Sequence, residues 1–215
     1  AMGEGSVRFD PDCRRCGRLA GFLDEVRARH PGYHCRPVAP FGSAAHRLLI
    51  VGLAPGMHGA NRTGRPFTGD HAGILLYKTL HAHGFASAPE SISADDQQRL
   101  FDCRITNAVK CLPPANKPLP AEVQQCNRYL ATELLAVPAG GVIVALGAIA
   151  HGAVLRALGL KPAQARFAHG AEHELLQRRR LLDSYHCSRY NTQTRRLTAP
   201  MFDQIFARAR HLLAG

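Results

Sequence analysis

The side chains best placed to do chemistry in this sequence are four cysteines, an asparagine, a histidine and an aspartate. Cys13 and Cys16 form a C-x2-C. Cys111 and Cys126, separated by fourteen residues, flank a proline-rich stretch from Pro113 to Pro120. Four thiolates gathered at one place can hold zinc or an iron–sulfur cluster. A zinc ribbon would carry a second C-x2-C, which is missing, and buried cysteines also pack simply as small hydrophobes. Cys35, Cys103 and Cys187 fall outside the pattern.

A second group lies on glycine-rich segments. Gly52-Leu-Ala-Pro-Gly56 lets the backbone approach a ligand closely while proline stiffens the turn. It lacks the Gly-Lys-Ser/Thr of a Walker loop and the spacing of a dinucleotide fingerprint. In Gly64-Arg-Pro-Phe-Thr-Gly-Asp70, an aromatic ring stands among cations, a composition suited to stacking a base and holding phosphates. Phe67 can equally plug the core, and Asp70 can cap the helix that begins there. Asn107 offers a donor and an acceptor together, enough to read a pyrimidine edge. His186 heads the segment His-Cys-Ser-Arg-Tyr-Asn191 and can act as acid, base or hydrogen-bond donor near neutral pH. His58, His151, His169 and His173 are secondary candidates without assigned roles.

Alternating strands and helices must position these groups. Arg47–Leu53, Arg104–Lys110, Gly141–Leu146 and Arg180–Tyr185 read as short buried strands. Helices are expected over Cys13–Arg29, Asp70–His83, Ala121–Leu135, the segment after Gly147 to Leu158, and Pro200–Leu213. This alternation predicts an α/β protein: three layers, α/β/α, around a central, mostly parallel four-stranded sheet. Ligands of such sheets bind beyond the carboxyl ends of the strands. Gly52–Gly56, Asn107, Gly147 and His186 all fall at such ends, so four segments point at one crevice.

Composition sets the frame. The chain has 215 residues, 27 basic and 16 acidic, for a net charge of +11, which favours a polyanionic partner, nucleic acid first. The length suits a single domain, 1–215, whose first six residues read as an expression remnant or a disordered tail. No apolar run reaches the length of a membrane span. Cytoplasmic location is expected, and seven cysteines in that compartment favour ligation over disulfides.

Taken together, these segments resemble the uracil-DNA glycosylase superfamily, and within it the family 5, or type B, branch. The matching pieces are Cys13-x2-Cys16, Gly52–Gly56, Gly64–Asp70, Thr106-Asn-Ala-Val-Lys-Cys111, Cys126 and His186–Asn191, in order along nearly the whole chain. The resemblance implies a [4Fe–4S] cluster on Cys13, Cys16, Cys111 and Cys126. It implies that a nucleotide flips out of DNA into the crevice, formed by Gly52, Ala54, Gly56, Phe67 and Asn107. Phe67 would stack on the base, Asn107 read its edge, and His186 donate to the leaving base. Ser188, Arg189, Tyr190 and Asn191 would meet DNA beside the extruded nucleotide. The implied reaction is hydrolysis of the N-glycosidic bond of uracil, and of hypoxanthine, xanthine or thymine opposite guanine, by a monomer acting on single- or double-stranded DNA and not at a membrane.

Departures from the wider superfamily narrow the mechanism. Leu53, Ala54 and Pro55 stand where classical members carry a water-positioning polar residue, as in the type B branch, which leaves Asp70 as the candidate carboxylate. Cys187 and Arg195 replace an expected Pro or Val and an expected Gly. Two other classes fit parts of the pattern: a nucleic-acid-binding protein without catalysis, and a metal-dependent nucleotide hydrolase, disfavoured because no acidic Mg²⁺ cluster is evident.

Overall fold

The computed structural model describes residues 7–215; the expected N-terminal tail lies outside them. Helix α1 (Gly17–Arg29) precedes strands β1 (Phe41–Gly42) and β2 (Leu48–Gly52). Helices α2 (Ala60–Thr63) and α3 (His71–Ala82), strand β3 (Cys103–Asn107) and helix α4 (Pro120–Leu135) follow. The remaining elements are β4 (Val142–Leu146), α5 (Ala148–Ala157), β5 (Glu172–Glu174), β6 (Arg180–Ser184), α6 (Arg189–Gln193) and α7 (Ala199–Ala214).

The sheet has six strands, in the order β1-β3-β2-β4-β6-β5, rather than the four expected. The inner four are the expected ones and are mutually parallel. The two additional strands are antiparallel edges. A two-residue strand and a Glu-His-Glu strand carry no apolar alternation, so only their pairing defines them.

Strand pleating divides the core. Leu48, Ile50, Val142, Val144 and Leu182 face α3 and α7 on one side. Leu49, Val51, Ile143, Ala145 and Leu181 face α4 and α5 on the other. Period-two projection from continuously apolar strands fills two layers at once. Leu23 and Val26 of α1 form a third cluster with Cys35 and Leu112. No helix among the described residues is long and apolar enough to cross a membrane.

Three boundaries differ from expectation in ways that matter for function. Helix α1 starts at Gly17, so the C-x2-C lies in the extended approach to it, with Cys16 as N-cap. Strand β3 ends at Asn107, just beyond which the Ala108 and Val109 amides still donate to the Gly52 and Leu53 carbonyls. Residues 189–193, for which no helix was expected, form a short helix capped by the Ser188 hydroxyl.

Candidate active-site cleft and cysteine cavity

The carboxyl ends of β2, β3 and β6 open into a cleft of about 650 Å³, lined by Ala54, Gly56, Phe67, Asp70, Asn107 and His186, among others. Ser188 and Arg189 reach its rim. The four segments expected at one crevice thus differ in their outcome: three line it, while Gly147 lies behind His186, where an added Cβ would sit 3.5 Å from the His186 Cβ.

Gly52 ends β2 at the back of the cleft. A Cβ there would lie 2.5 Å from both Asn107 Oδ1 and the Phe67 ring, so glycine makes room for the two side chains. Phe67 is held with φ +60°, an uncommon conformation for a non-glycine residue. Its neighbours fix it: Tyr77 donates to the Pro66 carbonyl at 2.7 Å, and Arg65, stacked on Phe41, is ion-paired to Asp96. The Phe67 and His186 rings face each other at 5.9 Å with planes 30° apart.

Asn107 is buried, and its Oδ1 has no hydrogen-bond partner; His186 Nδ1 is likewise buried and unpaired. Buried polar atoms left alone are uncommon and costly. Burial lowers the His186 pKa to about 4, so its imidazole is neutral at pH 7 and keeps one N–H donor. Asn191 donates to the His186 carbonyl at 2.9 Å, and Ser188 Oγ accepts from the Asn191 amide. These two side chains shape the turn, which leaves Arg189 and Tyr190 as its exposed members. Cys187 is fully buried in the core beneath, and Arg195 takes the positive φ of +60° that an expected glycine would adopt.

Asp70 is both cap and cleft residue. Its Oδ1 accepts from the Gly73 amide at 3.4 Å as N-cap of α3. Its Oδ2 packs on the glycine loop: a Cβ at Gly56 would lie 2.8 Å from it, and one at Gly59 would overlap it. Burial raises the Asp70 pKa, against the pull of the Gly73 amide and His71.

Sequence reading left out Asn116, Gly59 and Lys110. Asn116 reaches the cleft from the proline-rich loop at φ +58°, a conformation asparagine tolerates. An Asn-Lys step between prolines was the available signal. His58 also lines the cleft, bonded to Tyr33. His169 accepts from the Tyr185 amide, and His151 and His173 both bind the buried Asp183, so these three serve the scaffold.

Cys13, Cys16, Cys111 and Cys126 line one cavity, together with Arg14 and Tyr129. Cys126 Sγ accepts from the Lys110 amide at 3.3 Å. Burial, then the neighbouring thiolates, pushes Cys111 up to about 12. Among the described residues, no three of the four sulfurs lie within 4.8 Å of one another. A single zinc with 2.3 Å bonds would draw its ligands to about 3.8 Å, closer than any three of these sulfurs stand. Cys35, Cys103 and Cys187 are buried elsewhere.

Residues 39–210 match the family model described as the uracil DNA glycosylase superfamily. The chain is similar to the type-5 uracil-DNA glycosylase of Thermus thermophilus, 48% identical over 97% of each chain. It is 45% identical to that of Mycobacterium bovis, over 93% of this chain and 78% of the relative. It is 42% identical to that of Pyrobaculum aerophilum, over 92% of this chain and 88% of the relative.

Proposed function

Because the chain belongs to the uracil DNA glycosylase superfamily, we propose that the cleft at the strand ends is where a base is released from DNA. The chain is an enzyme, a uracil-DNA glycosylase that hydrolyses an N-glycosidic bond. The observation that supports this location is the pair of buried, unpaired atoms, Asn107 Oδ1 and His186 Nδ1, beside the Phe67 ring. A flipped uracil would satisfy both and lie on the ring. Asn107 Oδ1 would accept from N3–H and its amide donate to O4, while Gly52 gives the backbone clearance.

As the glycosidic bond breaks, the sugar gains oxocarbenium character and the base departs as an anion. Donors aimed at that charge supply most of the rate. His186, as neutral imidazole, would donate to the departing base. Asp70, ionised, would stabilise the sugar cation and orient water, since Leu53, Ala54 and Pro55 cannot. Asn116 is well placed to share in holding that water. Ser188, Arg189, Tyr190 and Asn191 would form the DNA-facing turn, with Arg189 and Tyr190 meeting the duplex where the nucleotide leaves.

Cys13, Cys16, Cys111 and Cys126 would hold a [4Fe–4S] cluster. Its contribution would be structural, tying the approach to α1 to the β3–α4 connection and the loop carrying Asn116. The described residues act as one domain and a monomer in this reading.

Base release under single turnover, from duplexes and single strands carrying uracil, hypoxanthine, xanthine or a thymine–guanine mismatch, tests the substrate range. Release of uracil alone would restrict the reading to that base. Full uracil release by Asn107→Ala would remove the cleft assignment.

A further inference from the structure

Lys110 is a deeply buried cation that the mechanism leaves unused. It is 1% exposed and does not line the cleft. Its ammonium donates to Glu133 at 2.5 Å and 2.8 Å, to Thr106 Oγ1 at 2.5 Å and to the Asn107 carbonyl at 2.7 Å. Thr106 Oγ1 in turn donates to Glu133. Burying such a pair removes two charges from water, and it is weak as a source of stability, because apolar residues of equal volume often serve as well. Its worth must therefore lie in what it fixes.

What it fixes is the peptide between Asn107 and Ala108. The carbonyl of that peptide accepts from Lys110, and its N–H donates to the Gly52 carbonyl at 2.9 Å. A peptide plane held at both ends fixes ψ of Asn107, and with it the backbone from which the side chain projects. Asn107 is the last residue of β3, and its carbonyl is taken by the Lys110 ammonium rather than by a neighbouring strand. We propose that Lys110, braced by Glu133, is a positioning residue that aims the Asn107 side chain into the cleft and so sets the discrimination between bases. The proposal rests on the reading of Asn107 as the base-contacting amide.

Removing Lys110 alone would leave the largely buried Glu133 carboxylate without its cation, so the variant to make is Lys110→Met with Glu133→Leu. Both are replaced by apolar side chains of similar size. Single-turnover excision of uracil and of thymine opposite guanine is measured in four proteins: the parent, the paired variant, Asn107→Ala, and the combination. Thermal unfolding is recorded alongside. The paired variant is expected to lose about tenfold or more in uracil excision and to narrow the ratio between the two substrates. In the Asn107→Ala background the same substitutions should cost nothing further in rate, because contacts that act through one side chain couple in a double-mutant cycle.

An equal loss in both backgrounds would mean that the pair supports the fold generally, and would overturn the proposal. A silent Asn107→Ala would instead overturn the base-reading role on which the proposal rests, whatever the paired variant does. Should the paired variant not fold, Glu133→Gln keeps the shape while weakening the brace. It should show a smaller loss that again disappears with Asn107→Ala, and persistence of that loss would overturn the proposal equally.

Discussion

The Asp70 carboxylate rests against Gly59 so closely that a single added methyl at Gly59 would overlap its Oδ2. The carboxylate is therefore held by the glycine loop as much as by the helix it caps. Two substitutions separate the roles. Asp70→Asn retains the cap, since asparagine caps about as well as aspartate. It should leave thermal stability nearly unchanged while lowering the chemical step on every base by roughly 10²–10³-fold. Gly59→Ala should push the carboxylate out of place and lower the same rate with the residue intact. Unchanged single-turnover rates in Asp70→Asn would reduce Asp70 to a cap.

The pH–rate profile should report the same carboxylate. Burial raises the Asp70 pKa above its ordinary value, and the role proposed for it requires the ionised form. Excision should therefore fall on acidification with a midpoint above the ordinary aspartate range near ~3.9. Asp70→Asn should abolish that limb. A midpoint at or below the ordinary value would contradict the burial seen in the cleft.

Two histidines should shape stability in opposite directions. His186 has a folded-state pKa of about 4, below its ordinary 6.5, so the unfolded chain binds the extra proton. Its contribution is present above pH 6.5 and is lost as pH falls from there toward 4. For His151, burial opposes the charge, but the bonds to Asp183 at 2.6 Å and to the Ala165 carbonyl at 2.7 Å prevail and raise the pKa. Its contribution is present below pH 6.5 and fades as pH rises through the higher folded value. Thermal unfolding of His186→Ala should flatten the acid side of the profile, and His151→Asn the neutral-to-alkaline side. The reverse assignment would refute both.

The cysteine cavity predicts a brown protein with a broad visible shoulder and about four irons per chain after anaerobic purification. Cys126→Ala should lose the iron and lower the melting temperature, whereas Cys103→Ala should keep the colour, because Cys103 lies in the main core away from the cavity. Stoichiometric zinc with no iron would exclude the cluster.

DNA affinity should fall steeply with salt, given a net charge of +11. Arg189, exposed at the cleft rim, should matter more than the exposed Arg29 at the end of α1. Arg189→Ala is expected to weaken binding and reduce the log–log salt slope by about one. Equal losses from Arg29→Ala would move the DNA path away from the α6 turn.

Much of this molecule was legible in its sequence because the relevant signals are local. Continuous apolar runs mark the four inner strands, and the glycine, asparagine and histidine segments at their ends mark the crevice. The paired cysteines, in order with those segments, mark the branch. Other features exist only through contacts between distant residues. The edge strands carry no apolar pattern and are created by pairing. Lys110 closes an expected strand, and only the fold pairs it with Glu133, 23 positions away. Asp70 reads as a cap or as a catalytic group; the fold brings Gly56 and Gly59 against it and places it at the cleft as well as at the cap. The hydrogen bond from the Asn191 side-chain amide to the His186 carbonyl likewise exists only in the folded turn. Sequence pattern determined which residue types stand at the strand ends, because periodicity and turn chemistry act over a few residues. Their charge states, and which atoms are left unpaired, were decided by burial, which depends on what the rest of the chain packs around them.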